Sequence, residues 1–306
     1  MIALLAPGQG SQTPGMFNPW LELDGVEDRL GRWSELTGLD LIRLGTTAEA
    51  DEIKDTSVTQ PLVVALSLIA AEELRRRVEV PADTPVAGHS VGELAAAAVA
   101  GALESDDAVA LAAVRGREMA AACALEPTGM AAVLGGDEQA VLAALEDLGL
   151  DPANRNGAGQ IVAAGKNGAL EQLAAEPPEG ARVRPLPVAG AFHTRFMAPA
   201  RETLAKHAEN VKATDATLPL LSNADGAVVT SADDILSRLV NQVTSPVRWD
   251  SCMAALGERG VDAVVEFPPA GALTGMVRRA LKGVQTIALK TPADLDKVAD
   301  QLGSAA

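Results

Sequence analysis

The feature that most constrains the fold is a serine between two glycines, in the pentapeptide Gly88-His89-Ser90-Val91-Gly92. The apolar residues Val86 and Ala87 precede it, and an alanine-rich segment from Glu93 to about Ala102 follows it. Glycines at these two positions let a buried strand turn sharply into a helix, so that the serine hydroxyl projects from the turn. The pattern predicts a strand-turn-helix unit of an α/β fold. Ser90 is then either a nucleophile or an ordinary turn serine.

Similar units flank this turn. Residues Ile2 to Leu5 form an apolar run that ends at Pro7-Gly8-Gln9-Gly10, which indicates a buried strand and a tight turn. Pro61 to Arg77 is typical of a helix, and Ser105 is a candidate N-cap for a helix from Asp106 to about Cys123. Beyond residue 190 we expect helices at about 196–210 and 232–243 and strands at 218–222, 261–266 and 285–288.

The pattern of apolar and glycine residues changes between these two parts of the chain. The pattern predicts, in order, strand 130–134, helix 137–148, strands 153–156 and 160–164, helix 168–175 and strand 182–188. The order βαββαβ is typical of ferredoxin-like domains. We therefore predict an α/β protein with a large α/β-hydrolase-like domain built on a parallel sheet, formed by residues 1–126 and 190–306. A small ferredoxin-like domain, residues 127–189, is inserted into it.

Composition excludes several classes of partner. The net charge of −16, with 41 acidic against 25 basic residues and only 2% aromatic residues, is unsuited to binding nucleic acid. Uninterrupted apolar runs are too short for a membrane span, and no basic region precedes the first of them, so we expect neither a membrane protein nor a signal peptide. Cys123 and Cys252 lack metal-ligand spacing and are expected to be structural thiols in a reducing, cytoplasmic compartment.

A nucleophilic serine needs a base, and the sequence offers three histidines. His89 adjoins Ser90, but adjacent side chains diverge at a sharp turn, so we expect it to pack beneath the turn. His207 lies in a polar helical segment and is expected to be solvated. His193 follows a predicted strand and Gly190, and is either the base or a residue at the entry of a helix.

Seven separated motifs give the sequence a family resemblance. In chain order they are APGQGSQTPGM, GHSVGE, RGREM, NRNGAGQIVAAG, FHTRFM, NQVTSPVRW and EFPPAGALTG. Over nearly its whole length the chain resembles the malonyl-CoA:acyl carrier protein transacylases of fatty acid and polyketide synthesis. It departs from their pattern at Pro268 and Ala270, where the family usually has glycines, so the geometry of that loop is not predicted.

The resemblance implies roles for individual residues. It makes Ser90 the acylated nucleophile and His193 its base, oriented by the backbone carbonyl of Gln242. The backbone N–H groups of Gln9 and Val91 would form the oxyanion hole, although the turn at Gln9 is by itself only a tight turn.

The resemblance also makes Arg115 the residue that binds the free carboxylate of malonate. Taken alone, Arg115 is a helix-surface arginine like Arg117. The role is physically sound, because a carboxylate enclosed away from water is costly unless it is paired, and a guanidinium can meet it with two hydrogen bonds.

Two further positions concern the substrate. Asn154 opens one of the matched motifs and is assigned to substrate binding. Val91 after the serine and Phe192 before the histidine resemble the pattern of relatives that select malonyl over methylmalonyl, because Phe192 would crowd an α-methyl group.

The reaction implied is a ping-pong transfer from malonyl-CoA to the phosphopantetheine thiol of acyl carrier protein, by a monomer without metal or other cofactor. Because carrier proteins are acidic, we expect docking on a local basic patch drawn from Arg182, Arg184, Arg195, Arg278, Arg279 and Lys282. The alternatives are a serine hydrolase or thioesterase that uses the same serine and histidine with water, and an inactive subunit that only binds the carrier.

Overall fold

The computed structural model describes residues 1–305. Its strands are β1 (Ile2–Ala6), β2 (Val86–Gly88), β3 (Thr128–Gly135), β4 (Asp151–Gly157), β5 (Gln160–Lys166), β6 (Ala181–Pro185), β7 (Leu220–Leu221), β8 (Val228–Val229), β9 (Ala263–Glu266) and β10 (Gln285–Ala288). Its α-helices are α1 (Val26–Thr37), α2 (Leu41–Thr46), α3 (Ala50–Ile53), α4 (Thr56–Arg75), α5 (Gly92–Val99), α6 (Ser105–Cys123), α7 (Glu138–Asp147), α8 (Asn167–Ala175), α9 (Ala198–Ala208), α10 (Ala232–Asn241), α11 (Trp249–Glu258), α12 (Ala272–Ala280) and α13 (Leu295–Ala305). Short 3-10 helices span Arg195–Met197, Gln242–Thr244 and Pro292–Asp294.

The larger sheet has six strands in the order β10-β9-β1-β2-β7-β8, all parallel except β8. Every residue of β1 is buried, as expected for a parallel strand with both faces covered. Side chains alternate between the faces, so Leu4 packs in the core that contains α4, α5 and α6. Leu5 packs on the opposite face, against residues of α11 and α12. The sheet is therefore the middle layer of three.

The smaller sheet is antiparallel, with the order β4-β5-β3-β6. With α7 and α8 it realises the predicted βαββαβ order, which confirms the predicted fold class. The sheet lies inside the segment 127–189, and the division of the chain into two domains at those boundaries stays a prediction. Two backbone hydrogen bonds join strand β4 to Val247, outside the smaller sheet. The N–H of Arg155 donates to the carbonyl of Val247, and the N–H of Val247 donates to the carbonyl of Ala153.

One helix is apolar and long enough to resemble a membrane span. Among the described residues only α4 meets that criterion, and 83% of its apolar window is buried inside the protein. The helix packs in the main core against α6 and the sheet. Its composition is therefore that of a core helix.

Several predicted element boundaries were wrong. Helix α4 begins at Thr56 rather than Pro61, because Asp55 accepts the N–H of Ser57 and caps the helix more than a turn earlier. Ser105 is not the N-cap of α6 but its first residue, and its hydroxyl donates to Glu72 instead.

The strands at two predicted positions are also shorter than expected. The strand predicted at 182–188 ends at Pro185, and Pro187 has no N–H to continue the ladder. The strand predicted at 218–222 is reduced to the two residues of β7.

Candidate active site

Ser90 lies at the carboxyl end of β2, on the turn into α5. A Cβ atom on Gly88 would overlap the backbone of Gly92, and one on Gly92 would overlap the carbonyl oxygen of Ala6. The two glycines therefore allow strand, turn and helix to approach within backbone contact. The approach leaves Ser90 with φ of 55°, a left-handed conformation that costs a non-glycine residue about 1–3 kcal/mol.

Ser90 and His193 face each other directly. The Ser90 Oγ lies 2.7 Å from His193 Nε2. On the far side of the ring, His193 Nδ1 lies 2.8 Å from the backbone carbonyl oxygen of Gln242. Because a carbonyl only accepts, Nδ1 carries the proton, and Nε2 is left as the acceptor for the serine hydroxyl. His193 also has a positive φ, 60°, so both members of the pair stand on strained backbone.

The environment of His193 keeps its ring neutral. Burial and, to a lesser extent, the positive charge of Arg115 lower the pKa of His193 from 6.5 to about 3, although hydrogen bonds to the backbone partly oppose the shift. A ring with this pKa is uncharged at neutral pH and can accept a proton. The pair therefore has the geometry and the protonation state of a nucleophile with its general base.

The lowered pKa of His193 makes a prediction about titration. As pH falls from about 7.5 to about 5, the imidazole signals of His193 should stay those of the neutral ring, because its folded-state pKa lies below this range. Since the unfolded chain binds this proton more readily, His193 contributes a loss of stability as pH falls below 6.5. The measurement is NMR titration, with the signal assigned by its absence in His193→Gln. A midpoint near 6.5 would contradict the prediction.

Arg115 is not on the helix surface. It is 2% exposed and points from α6 toward Ser90, with Nη2 3.3 Å from the serine Oγ. Its other contacts are amide oxygens: Nη1 donates to Gln60 Oε1 at 2.6 Å, and Nη2 donates to Gln242 Oε1 at 2.9 Å. Burial lowers its pKa to about 10, so it remains charged at neutral pH. None of its hydrogen-bond partners among residues 1–305 is a carboxylate, so a buried cation faces the serine without a direct counter-ion.

The predicted oxyanion donors border the same space. In the described part of the chain neither the N–H of Gln9 nor that of Val91 donates to a protein acceptor, whereas the N–H of Ser90 donates to Asn223 Oδ1 at 2.8 Å. The side chain of Gln9 is held by a hydrogen bond from Nε2 to Thr56 Oγ1. The backbone of the first turn lies close to the second, because a Cβ on Gly8 would collide with the carbonyl oxygen of His89.

A pocket of about 120 Å³ opens onto the serine. Ser90, His193 and Arg115 form its polar part, together with Gln9, Gln60, His89 and Asn154. Met119, Met130, Leu186, Val188 and Phe192 form its apolar walls. Met130 and Asn154 belong to the smaller sheet, so both sheets contribute to this pocket. All the predicted site residues line this pocket except Val91 and Gln242. Val91 follows Ser90 in the chain, and Gln242 is hydrogen-bonded to Arg115 and to the carbonyl of Ser90.

Comparison with known proteins shows the family of the chain. Residues 4–297 match the acyl transferase domain family. The chain belongs to this acyl transferase family. It is 62% identical to the malonyl CoA-acyl carrier protein transacylase of Mycobacterium tuberculosis, over 98% of this chain and 100% of the relative. It is 33% identical to that of Escherichia coli K12, over 95% of this chain and 96% of the relative.

Solved structures of family members have the same fold. The crystal structure of MCAT from Mycobacterium tuberculosis has a TM-score of 0.94 at 61% identity, covering 98% of this chain and 99% of that one. The structure of a type II PKS acyl-carrier protein in complex with its malonyl-transacylase has a TM-score of 0.91 at 29% identity, covering 98% and 99%.

The remaining histidines of this acyl transferase behave as expected. His89 packs edge-on against Trp249, with 5.5 Å between ring centroids, and its Nε2 lies 2.9 Å from Asn156 Oδ1. His207 is exposed on α9.

Burial raises the pKa of both cysteine thiols, that of Cys123 to about 11. A raised thiol pKa disfavours the reactive thiolate.

The loop at Pro268 and Ala270 does not line the pocket. Ser67 Oγ donates to the carbonyl of Pro268, and the Glu266 carboxylate accepts three backbone N–H groups at the start of α12, including that of Gly271. The departure from the family pattern in this loop therefore removes no group that faces Ser90.

Sequence reasoning missed three polar residues around the site in this acyl transferase. They are Gln60, Glu93 and Asn223, which are 1%, 2% and 0% exposed. Glu93 carried a signal, because it is the one charged residue in the apolar segment Gly92–Val99. Gln60 and Asn223 had none, since amides in a helix and in a loop are usually solvated.

Proposed function

We propose that this acyl transferase moves a malonyl group from malonyl-CoA to the phosphopantetheine thiol of acyl carrier protein, through a malonyl ester on Ser90. The observation that carries the proposal is the buried guanidinium of Arg115, 3.3 Å from the Ser90 Oγ and without a direct carboxylate partner among the described residues. A dicarboxylic acyl group supplies the missing counter-ion when its thioester carbon lies beside the serine.

In the first half-reaction Ser90 Oγ attacks the thioester carbonyl of malonyl-CoA. Its proton passes to His193 Nε2, which is 2.7 Å away, and the imidazolium is stabilised by the carbonyl of Gln242. The N–H groups of Gln9 and Val91 receive the tetrahedral oxyanion, and donors of this kind are each worth about 10²–10³ in rate. The C–S bond breaks, and His193 returns the proton to the leaving thiolate of CoA.

The second half-reaction runs the same steps in reverse. The carrier thiol gives its proton to His193 and attacks the malonyl ester, and Ser90 Oγ leaves as the proton returns to it. No step requires a metal or redox group. Among residues 1–305 no cluster of three or more His, Cys, Asp or Glu side chains is arranged to hold a metal ion.

We further propose that the protein is cytoplasmic and acts as a monomer. Although the chain is acidic overall, we propose that the acidic carrier protein docks on a group of its basic side chains. Arg278 and Arg279 lie in the last turn of α12, and Lys282 follows it. Arg182 and Arg184 lie on β6, an edge strand of the smaller sheet. Arg195 is the weaker candidate, because it pairs with Asp151 at 3.1 Å.

Intact mass spectrometry tests the proposal. The protein is mixed with malonyl-CoA and then chased with phosphopantetheinylated acyl carrier protein. A malonyl adduct that moves to the carrier supports transacylation. An adduct that decays to free malonate while the carrier stays unmodified favours the hydrolase alternative, and absence of any adduct favours the inactive binding subunit.

Phe192 gives a prediction about substrate choice. Its ring is 7% exposed and lines the pocket beside His193, so Phe192→Ser should open space for an α-methyl group. We expect the ratio of kcat/KM for methylmalonyl-CoA to that for malonyl-CoA to rise by about tenfold, the usual scale for one methyl group in an apolar pocket. Phe196→Ser is the control, because Phe196 is partly buried but does not line this pocket. An unchanged ratio in Phe192→Ser would refute the role.

A further inference from the structure

A carboxylate lies buried beneath the candidate nucleophile. Glu93 is on the first turn of α5, three residues after Ser90, and is 2% exposed. Its Oε1 accepts the backbone N–H of Asn223 at 2.8 Å, and its Oε2 accepts a short hydrogen bond from Gln242 Nε2. Glu93 forms no ion pair with any described residue, so its carboxylate is stabilised by neutral donors, which include the side chain of Ser222, and by the more distant charge of Arg115. Nothing in the proposed mechanism uses it.

The side-chain amide of Gln242 lies between Glu93 and Arg115. Its Nε2 faces the Glu93 carboxylate, the carbonyl oxygen of Ser90 at 3.0 Å and Asn223 Oδ1 at 3.2 Å. Its Oε1 faces the opposite way and accepts from Arg115 Nη2 at 2.9 Å. A chain of hydrogen bonds therefore runs from the guanidinium through the amide to the carboxylate.

The negative charge of Glu93 favours one orientation of that amide. An ionised carboxylate offers only acceptors, so the amide must turn its NH₂ group toward Glu93 and its oxygen toward Arg115. With the amide reversed, its oxygen would face the carboxylate and its NH₂ would face the guanidinium, which pairs acceptor with acceptor and donor with donor. The buried groups would then be left unsatisfied on both sides.

We propose that Glu93 is a positioning residue that holds Arg115, through the side-chain amide of Gln242, in the orientation that receives the carboxylate of the acyl group. The proposal rests on the malonyl transfer proposed above. Its geometric basis is the single path of hydrogen bonds from Arg115 Nη2 to Glu93 Oε2, in which every donor meets an acceptor.

The electrostatics of the buried cluster support this role. Burial raises the pKa of Glu93 to about 7, while hydrogen bonds from Asn223 and Gln242 and the charge of Arg115 favour the ionised form. At a slightly alkaline pH the carboxylate therefore carries a negative charge. That charge offsets part of the cost of burying Arg115 without occupying the face that the substrate needs.

The isosteric variant Glu93→Gln tests the proposal. The new amide can satisfy only one of the donors Asn223 N and Gln242 Nε2, because its other end is itself a donor. The backbone donor is fixed, so the NH₂ group of the new amide should face Gln242 Nε2, donor against donor. The side chain of Gln242 should then be displaced, which weakens its hydrogen bond to Arg115 Nη2. At pH about 8, we expect the ratio of kcat/KM for malonyl-CoA to that for acetyl-CoA to fall by about 10- to 100-fold, the scale of a hydrogen bond to a charged group.

A matched control separates this effect from general loss of a buried carboxylate. Glu73 is 6% exposed, lies on α4 and pairs with Arg76 and Arg77. Glu73→Gln should lower the Tm and leave the malonyl-to-acetyl ratio unchanged. The conservative variant Glu93→Asp, which still offers only acceptors, should keep more of the ratio than Glu93→Gln.

A double-mutant cycle with Gln242→Met tests the path itself. Gln242→Met removes the amide and keeps the backbone carbonyl that orients His193, so the ratio should fall, and adding Glu93→Gln should lower it no further. If Glu93→Gln does not fold, Gln242→Met alone decides, since an unchanged ratio there contradicts the proposal. Additive losses also contradict it. If the wild type transfers malonyl and Glu93→Gln keeps the malonyl-to-acetyl ratio of kcat/KM, only this inference is refuted. If the wild type does not transfer malonyl, the proposed function itself is refuted.

Discussion

Ser90→Ala should abolish formation of the malonyl adduct and with it transfer to the carrier. The variant removes the Oγ that lies 2.7 Å from His193 Nε2, and no other described hydroxyl contacts that ring. Loss of the nucleophilic serine costs about six orders of magnitude in kcat in the serine protease subtilisin, which uses the same pairing of serine and histidine. Intact mass spectrometry after incubation with malonyl-CoA is the measurement, because it detects the covalent intermediate directly.

Ser105→Ala is the matched control for the nucleophile variant. Its hydroxyl donates to Glu72 at the start of α6 and lies outside the pocket, so the adduct should form as in the wild type. A malonyl adduct retained on Ser90→Ala would exclude Ser90 as the nucleophile. Serine and alanine both carry a Cβ at this positive φ, so Ser90→Ala leaves the backbone strain unchanged, and thermal unfolding should give a Tm close to that of the wild type.

Arg115→Ala should change which acyl group is transferred. With the guanidinium removed, the malonyl carboxylate enters a buried pocket without a counter-ion, and truncating one partner of a buried charge pair costs about 2–5 kcal/mol. We expect kcat/KM for malonyl-CoA to fall by about two to three orders of magnitude. Transfer of acetyl, which has no carboxylate, should be spared or improved. The measurement is kcat/KM for both thioesters with the same carrier.

Two variants sharpen the interpretation of Arg115→Ala. Arg117→Ala is the control, because Arg117 lies two residues further along α6, is exposed and pairs with Glu118, so both activities should be kept. Arg115→Lys keeps a charge but cannot donate to Gln60 and Gln242 while meeting a carboxylate with two hydrogen bonds, so it should restore malonyl transfer only in part. Equal losses on both thioesters in Arg115→Ala would refute the role in selectivity.

The fold was predictable where local chemistry decides it. The apolar run at β1 and the glycines around Ser90 are compatible with few structures other than a buried strand and a tight turn. The order of strands and helices predicted for 127–189 correctly indicated the smaller sheet. The element ends were less predictable, because capping by Asp55 and the pairing of Ser105 with Glu72 depend on side chains whose partners lie elsewhere in the chain. The short helices α2 and α3 were not predicted, because they are held in place by packing on the main core.

The candidate site, like the fold, was predictable from the sequence only in part. The sequence by itself determined the strand-turn-helix at Ser90, since only glycine fits at Gly88 and Gly92, and its motifs named His193, Arg115 and Gln242. Only the tertiary structure decided that Arg115 is buried against the serine and that Glu93, Asn223 and Gln242 form one hydrogen-bonded cluster beneath it. These residues come from segments up to 149 positions apart. Whether a charged or amide side chain is solvated or buried depends on what the fold packs over it, and a residue's neighbours along the chain do not contain that information.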